Sequence, residues 1–408
     1  MKTLIILLLS ALTACSAKAP LSLQTVQSEI SRNPEATYID GQQGKLKWNY
    51  TTGLELKAML EAAGAELPSD GIGPYELPSE GSSALAATKI LEYVDSWYDA
   101  IINEDGTIGA NYKKSNYSLD HICPGKTLFM LYDITGKEKY RKAMDVLYEQ
   151  LREQPRTPEG GFWHKKIYPD QMWLDGLYMA QPFYAEYTSR YVPDALKAAN
   201  YEDIVLQFKL AYDHCYDSST GLLRHAWDSS HQMFWCDPAT GQSAHAWGRA
   251  CGWYAMALVD VIPFIPAGEY RDQLLGMLNT LCANVLEYTD NFRGMWYQVL
   301  DRPGEKGNYL EATVSAMFTY AMLKATREGW INCMDRKAAK AKYRSLLRTF
   351  VRKKAGLVNL NKCCEVAGLG GKENRSGTYE YYIKEKIRSN DPKGIGPLVW
   401  AALEYEKQ

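Results

Sequence analysis

The sequence predicts an all-α protein folded as an (α/α)6 barrel, a ring of inner helices enclosed by a ring of outer ones. Three observations point there: apolar residues recur at helical spacing, strand signals are sparse, and mostly apolar helical segments alternate along the chain with amphipathic ones. Inner helices touch protein on most sides while outer helices face water on one, which produces that alternation. With 408 residues, 46% of them hydrophobic, the chain has core material for one large closed architecture. No motif repeats at a fixed period, which argues against a helical solenoid, the competing fold.

The chain opens with a leader. Lys2 precedes an apolar run from Leu4 to Leu9, and Leu12-Thr13-Ala14-Cys15 follows. A charged start, a short apolar stretch and small residues before a cysteine read as a signal peptide over 1–14, too short for a membrane span. The Leu-Thr-Ala-Cys box resembles the cleavage site of bacterial lipoproteins, which implies a lipidated Cys15 at the mature N-terminus and a tether over 15–22. An ordinary secretory signal with a chance cysteine is the competing reading. Ser16-Ala17-Lys18 lack an acidic run, so the expected location is the periplasmic side of the outer membrane. Residues 23–408 would then form a single (α/α)6 domain in water, touching the membrane only through its lipid anchor.

Helices are expected near 22–32, 48–63, 84–102, 123–134, 137–153 and 172–189, then near 198–216, 247–262, 269–289, 309–327, 335–350 and 395–406. Ile90, Val94, Trp97, Tyr98 and Ile101 make one apolar stripe, and Tyr140, Met144, Leu147 and Leu151 another, each with charges opposite. Leu128 to Tyr132, Trp253 to Val259, Ala312 to Leu323 and Leu398 to Leu403 have little polar face and should be buried on most sides. The loops at 68–81, 158–170 and 368–382 are rich in glycine, proline or aromatics. Long loops in a compact domain usually build a site, so function is expected at the barrel mouth.

Composition narrows the function. A net charge of −2, with both signs spread along the chain and no basic tract, excludes nucleic acid as a partner. Twenty-nine tyrosines and eleven tryptophans suit ligands with flat, weakly polar faces such as sugars, although most of these rings serve the core. Apart from Cys15, eight cysteines form no CxxC pair and the six histidines no HxxxH pair, so no metal is expected. A phosphate-cradling loop and a nucleophile elbow are both missing.

The densest chemical cluster is Trp163-His164-Lys165 followed by Asp170-Gln171-Met172-Trp173-Leu174-Asp175-Gly176. Asp175 falls near a predicted helix start, where the helix dipole favours its anion by roughly 0.3–1 kcal/mol. Burial beside Trp173 or a second carboxylate can outweigh that and keep it protonated, so an acid role is physically open. Spacing alone does not separate catalysis from helix capping. Asp120 is the candidate partner carboxylate because it enters a buried helix, where an unpaired charge is costly; a buried salt bridge explains it equally well. His225-Ala226-Trp227-Asp228 and His245-Ala246-Trp247-Gly248-Arg249 through Trp253 supply a guanidinium between tryptophans. Arginine binds carboxylates bidentately and tryptophan stacks on sugars, a pairing suited to an acidic oligosaccharide.

At these residues the sequence resembles glycoside hydrolase family 105, the unsaturated rhamnogalacturonyl hydrolases. The matching stretches are WNYTTGLELKAML, YPDQMWLDGLYMAQPFYAEY, HAWGRACGWYAMALVDVI and GNYLEATVSAMFTYAML, then VAGLGG, YEYY and NDPKG, in family order over nearly all of the mature chain. The resemblance implies an (α/α)6 barrel without metal or organic cofactor. It implies a substrate whose terminal uronic acid carries a C4=C5 double bond, hydrated so that the neighbouring sugar is released. Asp175 matches the family's general acid/base and Asp120 its second aspartate. His225, Trp247, Arg249 and Trp253 match pocket positions, with Arg249 suited to the uronate; His164, Lys165 and Trp173 match the segment before the acid, and Tyr50 an N-terminal pocket tyrosine. Cys251 departs from the family's frequent asparagine, and the loop at 68–81 has no counterpart. Three other readings stay open: an unsaturated glucuronyl cap, ordinary hydrolysis by Asp120 and Asp175, and a lipid-anchored protein that binds oligosaccharides without turnover.

Overall fold

The computed structural model describes residues 19–64, 74–78 and 81–408. The expected leader, Cys15 and most of the loop at 68–81 lie outside the described residues. Six helices form the inner ring: α2 (Tyr50–Ala62), α4 (Leu128–Thr135, continuing a 3-10 segment at Cys123–Thr127), α6 (Leu174–Tyr191), α8 (Gly248–Val261), α10 (Ala312–Glu328) and α13 (Pro392–Glu406). Each packs on the next, and α13 closes the circle on α2. The outer helices are α1 (Leu21–Arg32), α3 (Gly81–Ile101), α5 (Glu138–Arg152), α7 (Asp194–Cys215), α9 (Glu269–Leu286) and α11 (Arg336–Phe350). The short α12 (Tyr379–Lys384) belongs to the mouth. The chain is therefore an (α/α)6 barrel.

Burial follows the two kinds of sequence segment. In α8 every residue except Asp260 is buried, whereas α11 buries only Ala339, Tyr343, Leu346 and Phe350, one stripe at helical spacing. The inner helices run parallel. Toward their C-terminal ends Lys324 Nζ lies 2.8 Å from Asp260 and Arg190 lies 2.7 Å from Asp133, while the neutral indole of Trp400 donates to Glu61. Their N-terminal ends open on the mouth.

Several boundaries differ from the sequence reading for local reasons. Over 123–127 the backbone is a 3-10 helix, not α, because Pro124 has no N–H to donate and Gly125 follows it. The helix expected from 172 starts at Leu174, because 171–173 is drawn into a strand. Four two-stranded ribbons stand where strand signals are sparse: β1 (Gln171–Trp173) with β4 (Ala226–Asp228), β2 (Tyr216–Asp217) with β3 (Leu222–Leu223), β5 (Val351–Lys354) with β6 (Leu357–Leu360), and β7 (Cys363–Cys364) with β8 (Ile387–Arg388). Strands of two to four residues leave too little alternation to read from sequence. All eight described cysteines are free thiols.

The ring closes tightly between α2 and the 3-10 segment. A Cβ on Gly53 would sit 2.6 Å from Pro124 Cα, a backbone atom that cannot move aside. Gly53→Ala is expected to cost roughly 1–3 kcal/mol of stability by overpacking, read as a lower urea midpoint with an unchanged slope.

Candidate active site

Segments at the barrel mouth hydrogen-bond side by side through their backbones. Leu119 N–H donates to His164 O (3.0 Å), His164 N–H to Gln171 O (2.8 Å), Leu174 N–H to His225 O (3.1 Å) and His225 N–H to His245 O (3.2 Å). The series continues from Gly248 N–H to Gln298 O (2.9 Å), Gln298 N–H to Tyr309 O (2.9 Å) and Ala312 N–H to Lys362 O (3.0 Å). In the middle of this collar, β1 pairs antiparallel with β4, setting Trp173 opposite Ala226 and carrying Leu174 onto His225. Residues about fifty positions apart in sequence thereby become neighbours.

Asp175 is the second residue of α6 and stands in its first turn, after an N-cap, Trp173, whose side chain makes no capping hydrogen bond. Its Oδ2 lies 3.2 Å from His225 Nε2, within ion-pair range but off the hydrogen-bond line, and both atoms are buried without another partner among the described residues. Burial opposes the charge on Asp175, yet His225, His164 and Arg249 more than offset it and hold the carboxyl below the ordinary value. The environment favours the anion, so of the two states left open by the sequence it is the ionised one that the resting site supports. Gly176 lets this turn sit close to its neighbours, since a Cβ there would lie 3.0 Å from Leu119 Cδ1 and 3.2 Å from His164 Nδ1.

Asp120 pairs with Lys165, whose Nζ is 2.5 Å from Oδ2, while His164 Nε2 is 3.6 Å from Oδ1. Burial raises the pKa of Asp120 but Lys165 and His164 outweigh it, so this carboxyl too is held low. Burial pushes the His164 imidazole down to about 4, against the opposing pull of Asp120. The His164 ring stacks on Trp173 at 4.7 Å, and Tyr168 covers Trp173 at 5.0 Å. Trp173 in turn meets His225 edge-on at 5.4 Å. His225 also touches Trp247 (4.7 Å), whose ring carries the Arg249 guanidinium at 4.5 Å. Lys165, Asp120, His164, Trp173, His225, Asp175, Trp247 and Arg249 thus form one continuous chain of contacts.

Tyr50 and Trp253 complete the wall: their rings meet edge-on at 6.5 Å. Burial raises the Tyr50 phenol well above its usual value, with Asp120 and Asp175 adding to the rise. Trp247 and Trp253 are each only 1% exposed, with Arg249 on one and Tyr178 stacked at 4.8 Å on the other. The expectation that these tryptophans offer open faces to sugars is corrected here; Trp247 presents instead a buried indole N–H with no partner among the described residues. Arg249 donates through Nη1 to Cys364 O (2.5 Å) and makes no other hydrogen bond among the described residues. Its remaining donors suit a carboxylate ligand. Among the described residues no three His, Cys, Asp or Glu side chains are grouped to hold a metal.

A model of Glycosyl Hydrolase Family 88 matches residues 21–408. A glycoside hydrolase from family 105 of C. acetobutylicum is 41% identical, covering 95% of this chain and 99% of its own, with a TM-score of 0.84. The chain belongs to the family 88 and 105 glycoside hydrolases. Unsaturated rhamnogalacturonyl hydrolase YesR of Bacillus subtilis strain 168 is 28% identical over 263 residues, 60% of this chain and 67% of that enzyme. An unsaturated glucuronyl hydrolase specific for heparin shares the fold at 12% identity, with 95% of this chain and 96% of the other covered and a TM-score of 0.59.

Within this glycosidase, several mouth residues carry no signal strong enough to single them out in sequence. Tyr382 Oη lies 2.7 Å from His225 Nδ1, but YEYY offers three tyrosines and no means of choosing among them. Glu311 caps α10 by accepting from Val314 N–H (2.7 Å) and also holds Cys364 N–H (2.8 Å), so it fixes the carbonyl that Arg249 grips. The sequence reading starts this helix near 309 and so places Glu311 inside it, which hid its capping role.

His164 gives the site a measurable pH signature. An unfolded histidine titrates near 6.5 and the folded one near 4, so between those values the unfolded chain binds the extra proton and acid weakens the fold. Relative to His164→Asn, the native protein should lose about 3 kcal/mol of stability as pH falls from about 6.5 to about 4, measured by urea unfolding of both proteins across that range.

Proposed function

We propose that this glycosidase removes a 4,5-unsaturated galacturonyl residue from the non-reducing end of oligosaccharides that a lyase has cut from rhamnogalacturonan. The observation that carries the reading is the buried Asp175 carboxyl against His225, in the same contact chain as Arg249 and the Asp120–Lys165 pair. The family and the likeness to a rhamnogalacturonyl hydrolase support the substrate class. The unsaturated sugar is an enol ether. Asp175 gives a proton to C4, the positive charge forms at C5 beside the ring oxygen, and water adds there. Asp175, now anionic, accepts the proton that the water sheds. The hemiketal at C5 then opens and releases the neighbouring sugar. Arg249 takes the uronate carboxylate through the donors it does not give to Cys364.

The low pKa of Asp175 fits this scheme through binding. A uronate beside Arg249 offsets one of the positive charges that keep Asp175 ionised, so the substrate raises the acid's pKa as it docks. The reacting form therefore carries one proton more than the resting protein. Above the pKa of Asp175, kcat/KM should rise as pH falls, with a log–log slope of about −1; a flat profile between pH ~7 and ~5 would remove Asp175 from the acid role.

Turnover is read directly as loss of the ultraviolet absorbance of the conjugated enoate in lyase-generated oligosaccharides. Asp175→Asn should lower the rate by at least about 100-fold with the fold intact by circular dichroism. Cleavage of saturated substrates without absorbance change would favour ordinary hydrolysis, tight binding without cleavage a binding protein, and preference for glucuronyl caps the other epimer. We also propose export with lipid anchoring at Cys15 to the periplasmic side of the outer membrane. Cys15→Ala should move the protein from the membrane fraction to the soluble one in a bacterial host; unchanged partition would exclude the anchor.

A further inference from the structure

Tyr382 is a buried phenol to which the chemistry above gives no task. It lies in α12, whose start is capped by Thr378 accepting from Tyr381 N–H (3.3 Å). Gln298 Nε2 donates to the Tyr382 carbonyl (3.3 Å), and its ring stacks on Trp247 at 5.9 Å and 18°. The backbone and ring are thereby held from two sides. The hydroxyl makes one hydrogen bond among the described residues, 2.7 Å to His225 Nδ1.

A neutral imidazole carries its proton on one nitrogen and a lone pair on the other, and the partner of one nitrogen decides the role of the second. If the phenol donates to Nδ1, the His225 proton sits on Nε2, facing Asp175 Oδ2 at 3.2 Å. In the opposite arrangement Nδ1–H would donate to the phenol oxygen. The phenolic proton would then be buried with no acceptor, and the Nε2 lone pair would face a carboxylate. That arrangement strands the phenolic proton and sets a lone pair against the carboxylate, where the first keeps the hydrogen bond and an attractive N–H approach. Burial, with Tyr381 and Asp175 adding to it, also keeps the phenol protonated and so available as the donor.

We propose that Tyr382 is a positioning residue for the hydration reaction, its hydroxyl fixing the His225 tautomer that presents Nε2–H to Asp175. The inference rests on the reading of Asp175 as the acid/base. An Nε2–H turned toward Oδ2 at 3.2 Å stabilises, by charge–dipole attraction, the anion that forms as the proton leaves for C4. The other carboxyl oxygen, Oδ1, is left to carry the transferred proton.

Two measurements test this. In protein labelled with 15N histidine, the His225 signals, assigned by their loss in His225→Gln, should report a protonated Nε2 and a bare Nδ1 in the neutral ring. A proton on Nδ1 in the native protein overturns the proposal without need of any Tyr382 variant. Tyr382→Phe keeps the ring on Trp247 and removes only the hydroxyl, so it should mix the two tautomers. On lyase-generated oligosaccharides it should lower kcat by about tenfold or more while KM stays within about twofold. Unchanged kcat, or a rise in KM alone, overturns the proposal. Asp175→Asn in parallel keeps the levels apart: an active Asp175→Asn removes the acid/base reading itself, whereas an inactive one beside a fully active Tyr382→Phe removes only the role of Tyr382.

Discussion

The site depends on backbone pairing at the barrel mouth. The β1–β4 ladder and the Leu174 N–H bond to His225 O bring the first turn of α6 against a histidine from a distant loop. Buried backbone groups must find partners, and the collar supplies them in this register. A shift by one residue would turn Trp173 and its neighbours to the opposite face of the ribbon. The position of the chemistry is thus set by main-chain hydrogen bonds, and the side chains inherit it.

The mouth gathers several polar atoms, unpartnered among the described residues, around one histidine and one carboxylate. At the C-terminal ends of the inner helices, Asp260, Lys324, Arg190 and Asp133 are paired at salt-bridge distance. At the N-terminal ends, buried polar atoms of His164, Asp175, His225 and Trp247 have no hydrogen-bond partner among the described residues. Buried polar groups left unsatisfied lower stability, and they persist where a ligand supplies what the fold withholds.

Electrostatics within the mouth favours charge on both carboxyls. Asp120 is held by Lys165 and His164, and Asp175 by His225, His164 and Arg249. The two differ in their partners. Lys165 lies 2.5 Å from Asp120 as a fixed cation, whereas Asp175 faces an imidazole and shares an arginine suited to a ligand carboxylate. An anion docking on Arg249 weakens the pull on Asp175, whereas the Lys165–Asp120 pair is already closed, and this asymmetry supports the proposed acid role of Asp175.

Much of the fold was legible in the sequence. The stripe Tyr140, Met144, Leu147 and Leu151 and the nearly uniform burial of 248–261 follow from hydrophobic periodicity, because helix faces and core contact share one period. The candidate residues Asp175, Asp120, Arg249 and His225 were legible as chemistry-bearing side chains beside predicted helix starts, and their family pattern tied them together. Their geometry was not. Ribbons of two to four residues leave no readable alternation, so the collar stayed hidden, and with it the meeting of Asp175 with His225. Nor could spacing tell an open tryptophan from one covered by Arg249 or Tyr178, or pick Tyr382 out of its neighbours. The sequence by itself determined the helices, their two classes and the residue types of the site. Only the tertiary structure decided which of them touch and in which charge state, because contact and desolvation arise from segments far apart in the chain.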